Sequence, residues 1–124
     1  FCYVLESCWW ENQGGKFVRH SLPLQAQTSV VQGIITGDFN GDGKIDLLLA
    51  GNKYGLEVET NRCDAGNGTL LTGDGKGHFS WYNNMESGFW AMREARDMLS
   101  LNSTGGKQLI IVSNNNDSPQ VYEH

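Results

Sequence analysis

The densest chemistry in the sequence lies in Asp38-Phe39-Asn40-Gly41-Asp42-Gly43-Lys44-Ile45-Asp46. Oxygen-bearing side chains stand at loop positions 1, 3, 5 and 9, and the glycine at position 6 permits a sharp turn. This is the ladder by which a chain wraps a hard cation in oxygen. Asp38, Asn40, Asp42 and Asp46 would supply side-chain oxygens and Lys44 its backbone carbonyl, with the lysine side chain left in water. Calcium is the expected ion. Three carboxylates crowded into so short a loop repel one another until a cation neutralises them, so binding should also stabilise the folded loop. Magnesium suits it less, because that ion keeps several waters and needs few protein ligands. Asp, Asn and Gly favour turns on their own account, but turn formation does not require acids at alternating positions. An EF-hand is excluded: it needs a bidentate Glu at position 12, which here is Leu49, and a helix on each side.

An internal repeat indicates which elements must hold this loop. Gly14-Gly15-Lys16-Phe17 before Val18-Arg19-His20 returns as Lys76-Gly77-His78-Phe79 before Ser80-Trp81-Tyr82, at an offset of 62. Gly43-Lys44 followed by Leu47 to Asn52 returns as Gly106-Lys107 followed by Ile110 to Asn115, at an offset of 63. A period of that size marks repeated supersecondary units. In the best-preserved copy, strands are expected at Gln32 to Gly37, Leu47 to Gly51, Thr69 to Thr72 and His78 to Tyr82. The acidic loop joins the first two, a long excursion from Asn52 to Gly68 follows, and a Gly-rich turn at Gly73 to Gly77 joins the last two. Four short antiparallel strands make one propeller blade. The unbroken apolar run Leu47 to Ala50 lacks in-out alternation, so both its faces should be covered.

The expected architecture is therefore all-β, built from antiparallel four-stranded propeller blades. It comprises residues 1–31 as the end of one blade and a linker, 32–84 as a complete blade carrying loop 38–46, and 85–124 as a partial, degenerate blade. The stretch Glu86 to Leu101 pulls against this, since Phe89, Met92, Arg96 and Leu99 fall at helical spacing. The repeat aligns Arg93 to Ser100 with Val31 to Asp38, and a strand is preferred there. In the third unit the loop reads Leu101 to Leu109 with leucine or glycine at the acidic positions, so it should bind no metal. Gly73 to Phe79 holds a single Asp74 and reads as a hairpin turn.

Sixteen glycines against two prolines among 124 residues fit many tight turns joined by short strands. A formal charge of -5 and pI near 5.0 argue against a general grip on nucleic-acid backbones. Apolar runs such as Leu47 to Ala50 fall far short of the roughly 20 residues of a membrane-spanning helix. The chain opens on Phe1 rather than Met, as a processed product or a piece of a longer polypeptide would. Cys2, Cys8 and Cys63 form no C-x-x-C pair. On one straight strand Cys2 and Cys8 would stand about 20 Å apart, too far to bridge, so a disulfide needs a bend or Cys63 as partner.

Other candidates have plainer readings. His20, His78 and His124 are scattered outside any nucleophile motif and read as surface residues. Glu57, Glu59, Arg62 and Asp64 could in principle contribute a glycosidase carboxylate pair, but a solvated, salt-bridged loop is the simpler account. Trp9, Trp10, Trp81 and Trp90 could stack on sugars, although core packing is the default for tryptophans near strands. Asn67 and Asn102 begin possible N-glycosylation sequons, and a third at Asn116 is weakened by Pro119.

The Asp38–Asp46 loop entering an aliphatic strand, followed one hairpin later by Gly73-Asp74-Gly75-Lys76-Gly77-His78-Phe79, resembles the FG-GAP/VCBS repeats of integrin-α-like β-propellers. From Glu11 to Tyr122 the chain is similar to the terminal repeats of large secreted bacterial proteins typical of Bacteroidetes. The resemblance implies a secreted or cell-surface, calcium-stiffened propeller used for adhesion, carbohydrate handling or scaffolding, with Asp38, Asn40, Asp42, Lys44 and Asp46 as the calcium ligands. A propeller closes with typically about 4 to 8 blades, and two cannot close. The missing blades would come from the rest of a larger chain or from other copies, with the half-blade around Tyr3 to Arg19 meeting that around Arg93 to Val112 of a neighbour. The alternative is a fragment of a secreted carbohydrate-active enzyme with structural calcium, using Glu57, Glu59 or Asp64.

Overall fold

A computed structural model describes residues 3–54 and 65–124. Among the described residues the fold is all-β, with three antiparallel sheets and no closed barrel. Strands β1 (Cys8–Gln13) and β2 (Lys16–Ser21) form a hairpin. Gly14 and Gly15 turn it, both at positive φ, the backbone a two-residue hairpin turn demands. The middle sheet runs in chain order through β3 (Gly33–Gly37), β4 (Asp46–Ala50), β5 (Thr69–Gly73) and β6 (Phe79–Tyr82). The third sheet contains β7 (Ala95–Asn102), β8 (Gln108–Asn114) and β9 (Asp117–Glu123).

The four strands expected of the complete unit are present within a residue of their expected ends. A 3-10 turn at Leu24–Gln27 separates the hairpin from the middle sheet. A single helical turn, α1 (Asn84–Ser87), leads out of it, capped by the Asn83 side chain accepting from the Met85 amide and closed by Gly88 at φ 70°. Of the residues with helical spacing, Arg96 and Leu99 lie in strand β7, while Phe89 and Met92 lie in the connection before it. The pairing of β7 with β8 from Ala95↔Asn114 to Asn102↔Gln108, together with burial of Ala95 and Met98 against the middle sheet, overrides local helix propensity.

The middle sheet is covered on both faces, which explains the missing alternation in Leu47 to Ala50. On one face Ile35, Leu48, Ala50 and Leu70 pack with Ala95, Met98, Ile110 and Val112 of the third sheet and with Phe89 and Ala91 of the connection. On the other, Leu49 and Leu71 pack with Ala26, flanked by Leu22, Val31, Leu47 and Phe79. Leu48, Leu49 and Leu71 are at most 2% exposed, and each such burial contributes about 1.5–3 kcal/mol. Strand β3 lies against β7 so closely that a Cβ on Gly33 would stand 2.9 Å from Met98 Cγ and 3.0 Å from the Met98 amide nitrogen. A close approach of two strands from different sheets is what fixes glycine there.

Candidate metal-binding loop

Loop 38–46 is the connection between β3 and β4, with Gly37 paired to Asp46 across its base. Strands flank it on both sides, as the rejection of an EF-hand requires. Its side-chain oxygens turn onto the loop's own amides. Asp38 Oδ1 accepts from Gly41 N at 2.8 Å and Asp42 N at 3.0 Å, and Asp38 Oδ2 accepts from Gly43 N at 2.8 Å. Asn40 Oδ1 accepts from Asp42 N at 2.9 Å, and Asp42 Oδ1 from Lys44 N at 2.9 Å. Gly41 and Gly43 hold φ of 78° and 79°, the left-handed conformation that lets the chain coil about Asp38.

Asp46 differs from the others. Its carboxylate is fully buried, with Oδ2 accepting from the Phe39 amide at 2.9 Å and Oδ1 from the Gly73 amide at 2.9 Å. It therefore clamps the start of the loop and the end of β5 to the start of β4. Asp38, Asn40, Asp42 and Lys44 are exposed. The Lys44 side chain is exposed, and its Nζ lies 3.3 Å from Asp42 Oδ2, because the i, i+2 spacing across this turn brings the two together. The backbone amide of Lys44 holds the Asp42 carboxyl below its ordinary range, helped by Asn40 and the Lys44 ammonium.

The donor set consists of oxygen alone, the chemistry of a hard cation; Asp38 Oδ1 accepts from two amides, whereas Asp38 Oδ2 and Asp42 Oδ1 each accept from one and keep a lone pair. Asp38, Asn40 and Asp42 share one exposed set of amides, whereas Asp46 stands apart in the interior. Among the described residues no three His, Cys, Asp or Glu side chains cluster as a metal-holding group. The hairpin at Asp74 to His78 repeats the inward-turned carboxylate on a smaller scale. Asp74 accepts from Lys76 N at 2.7 Å and His78 N at 3.1 Å and lies 2.8 Å from His78 Nδ1. These contacts, the Lys76 amide foremost, bring its pKa down to about 2.

The remaining candidates separate. His78 and His124 are exposed, while His20 is half-buried, stacked on Trp9 at 4.4 Å and 3.0 Å from Glu11 Oε2. Core packing fails for most of the tryptophans: Trp10, Trp81 and Trp90 are exposed, and Trp9 is only partly covered. Asn67 and Asn102 are both exposed. Cys8 is a free thiol. Cys2, Cys63, Glu57, Glu59, Arg62 and Asp64 lie outside the described residues.

Among the described residues, buried Asn52 and Glu94 escaped the sequence reading. Asn52 is fully buried; its Nδ2 donates to the carbonyls of Gly66, Met92 and Arg93 at 2.8, 3.0 and 3.2 Å, and its Oδ1 accepts from Ser29 Oγ and Gly66 N. Glu94, 4% exposed, accepts from Asn115 Nδ2 at 2.9 Å, and that bond leads the causes that lower its pKa. A polar residue directly after a buried strand, as Asn52 is after Leu47 to Gly51, was the available signal.

No family model matches the chain, and no curated protein or solved structure matches it significantly.

Proposed function

We propose that the chain is an extracellular, calcium-stiffened structural or adhesion module built from β-propeller-type blades. The observation that carries this reading is the Asp38–Asp46 loop: a hairpin connection with oxygen ligands at alternating positions, glycines at positive φ between them, and a strand on each side. Asp38, Asn40, Asp42 and Asp46, with the Lys44 carbonyl, would hold the ion. The ion would neutralise three carboxylates and lock the β3–β4 turn, and no chemistry is required of it. Exposure of most of these groups favours a weak site of the extracellular class, with Kd of about 10⁻⁴–10⁻³ M, which fills only where calcium is abundant.

Propeller blades are favoured over other all-β arrangements by the 62- to 63-residue repeat and by the face-to-face packing of the middle and third sheets. Loop 101–109, without acids at the aligned positions, has no part in metal binding. Carbohydrate remains the candidate ligand class for an adhesive role, with exposed Trp10, Trp81 and Trp90 as stacking platforms. Thermal melts with calcium and with a chelator test the reading. A higher Tm in calcium is expected, and superimposable curves refute the calcium assignment.

A further inference from the structure

Two Asn-Gly dipeptides stand in the sequence, Asn40-Gly41 and Asn67-Gly68. The pair is chemically labile, because a following residue without a Cβ lets its main-chain nitrogen approach the asparagine side-chain carbonyl carbon and close a cyclic imide. The fold treats the two differently. Gly68 is buried at φ 80°, where an added Cβ would stand 2.7 Å from the Phe89 ring and 2.9 Å from the Ala91 amide nitrogen. The Asn67 carbonyl accepts from the Ala91 amide at 2.9 Å and the Gly68 carbonyl from Asn84 Nδ2 at 2.8 Å, so the linkage and the peptide after it are both clamped. Asn40 and Gly41 are exposed, and beyond the chain neighbours no atom lies within 4 Å of a Cβ built on Gly41.

The groups around the exposed pair also fit the reaction. The Gly41 amide donates to Asp38 Oδ1 at 2.8 Å, which sets a carboxylate on the proton that the attacking nitrogen must lose. The Asp42 amide, shared with Asp38, donates to Asn40 Oδ1 at 2.9 Å, on the oxygen where negative charge builds as the ring closes.

We infer that Asn40 is a site of spontaneous covalent modification: the native loop directs deamidation to Asn40, and the fold withholds it from Asn67. The Gly41 nitrogen bonds to Asn40 Cγ and gives its proton to Asp38, the bond from Cγ to Nδ2 breaks, and Nδ2 leaves with that proton as ammonia. Water then opens the cyclic imide, at Cγ to give aspartate or at the Asn40 main-chain carbonyl carbon to give isoaspartate. Water is the only co-reactant. Either product adds a negative charge to a loop that already holds Asp38, Asp42 and Asp46, and isoaspartate also lengthens the main chain there by a methylene. The loop thus passes once, irreversibly, to a more acidic form. Nothing in this chemistry requires the calcium assignment.

The test is peptide mapping by mass spectrometry after incubation of the whole chain at neutral pH, in chelator and in water enriched in heavy oxygen, which marks every acid formed during the incubation. In the folded chain, conversion at position 40 should outpace conversion at position 67 by at least about tenfold, as the two hydrogen bonds that hold Asn67-Gly68 imply. In urea the two positions should react at similar rates, with position 40 no faster than in the folded chain. Asp38→Asn, checked for folding by circular dichroism, should slow conversion at position 40 by at least about tenfold when folded and leave the rate in urea close to wild type. Equal rates at the two positions in the folded chain, faster conversion at position 67, no conversion at position 40, or an Asp38→Asn chain that converts like wild type overturns the inference. Should Asp38→Asn not fold, the wild-type comparison decides: a rate at position 40 that rises in urea overturns the directing role of the loop.

Discussion

The Asp46 carboxylate, fully buried in β4, accepts the Gly73 amide from the end of β5 at 2.9 Å, a contact across 27 residues of sequence. Gly73 packs so tightly there that a Cβ would collide with the carbonyl oxygen of Ile45. Asp46 thus has a structural duty independent of any metal. Replacing it with Ala leaves the buried Gly73 amide without an acceptor, at a cost of about 1–3 kcal/mol, and also frees the half-buried Phe39 amide. Asp46→Ala should therefore lower the denaturation midpoint markedly even in chelator, and Asp46→Asn should fall between it and wild type. Urea titration checks both, and an unperturbed midpoint for the alanine variant would contradict the clamp.

Asp42 lies in the same loop but is exposed, so its substitution separates metal binding from folding. With Kd of about 10⁻⁴–10⁻³ M, a ten- to hundredfold excess of calcium stabilises by about 1.4–2.7 kcal/mol. Asp42→Ala should abolish most of that increment while leaving the Tm in chelator close to wild type. Isothermal titration with calcium chloride supplies the binding side of the comparison. Retention of the full calcium increment would remove Asp42 from the ligand set.

Gly33 probes the contact between the middle and third sheets. Its Cβ would sit 3.0 Å from a backbone nitrogen of Met98, which cannot move aside as a flexible side chain could. Gly33→Ala should cost about 1–3 kcal/mol by overpacking, although alanine ordinarily stabilises a strand position relative to glycine. A neutral or stabilising effect in chemical denaturation would mean that β3 and β7 do not meet.

The Asp74 turn makes a pH prediction. A carboxyl with a folded-state pKa of about 2 and an ordinary unfolded value near 3.8 contributes stability that is complete above the unfolded value and lost as pH falls through the folded one. Wild type should lose stability between about pH 4 and pH 2 more steeply than Asp74→Asn, whose turn no longer titrates. Thermal melts across that range measure the difference, and parallel pH profiles would exclude the contribution.

Strand positions in the complete unit were legible because glycine-rich turns and a second copy of the pattern bracketed them. Strand β7 was legible only through the repeat, since Phe89, Met92, Arg96 and Leu99 carry a helical period that pairing with β8 overrides. The spacing of Asp38, Asn40, Asp42 and Asp46 disclosed a ligand type. It could not disclose that Asp46 turns inward, because the Gly73 amide it meets comes from a distant strand. The exposure of Trp10, Trp81 and Trp90 was hidden for a related reason. Composition places tryptophan in cores, while register decides which face of a strand is covered.

Asn52 has a consequence for how the molecule comes apart. Its one amide group grips Ser29 ahead of the middle sheet, Gly66 within the long excursion, and Met92 and Arg93 at the approach to the third. Arrays of repeated units commonly fray from an end, losing one unit at a time. Here any opening that frees the third sheet must also strand the buried Asn52 amide in its neighbour, so the middle and third sheets are coupled in one cooperative melt.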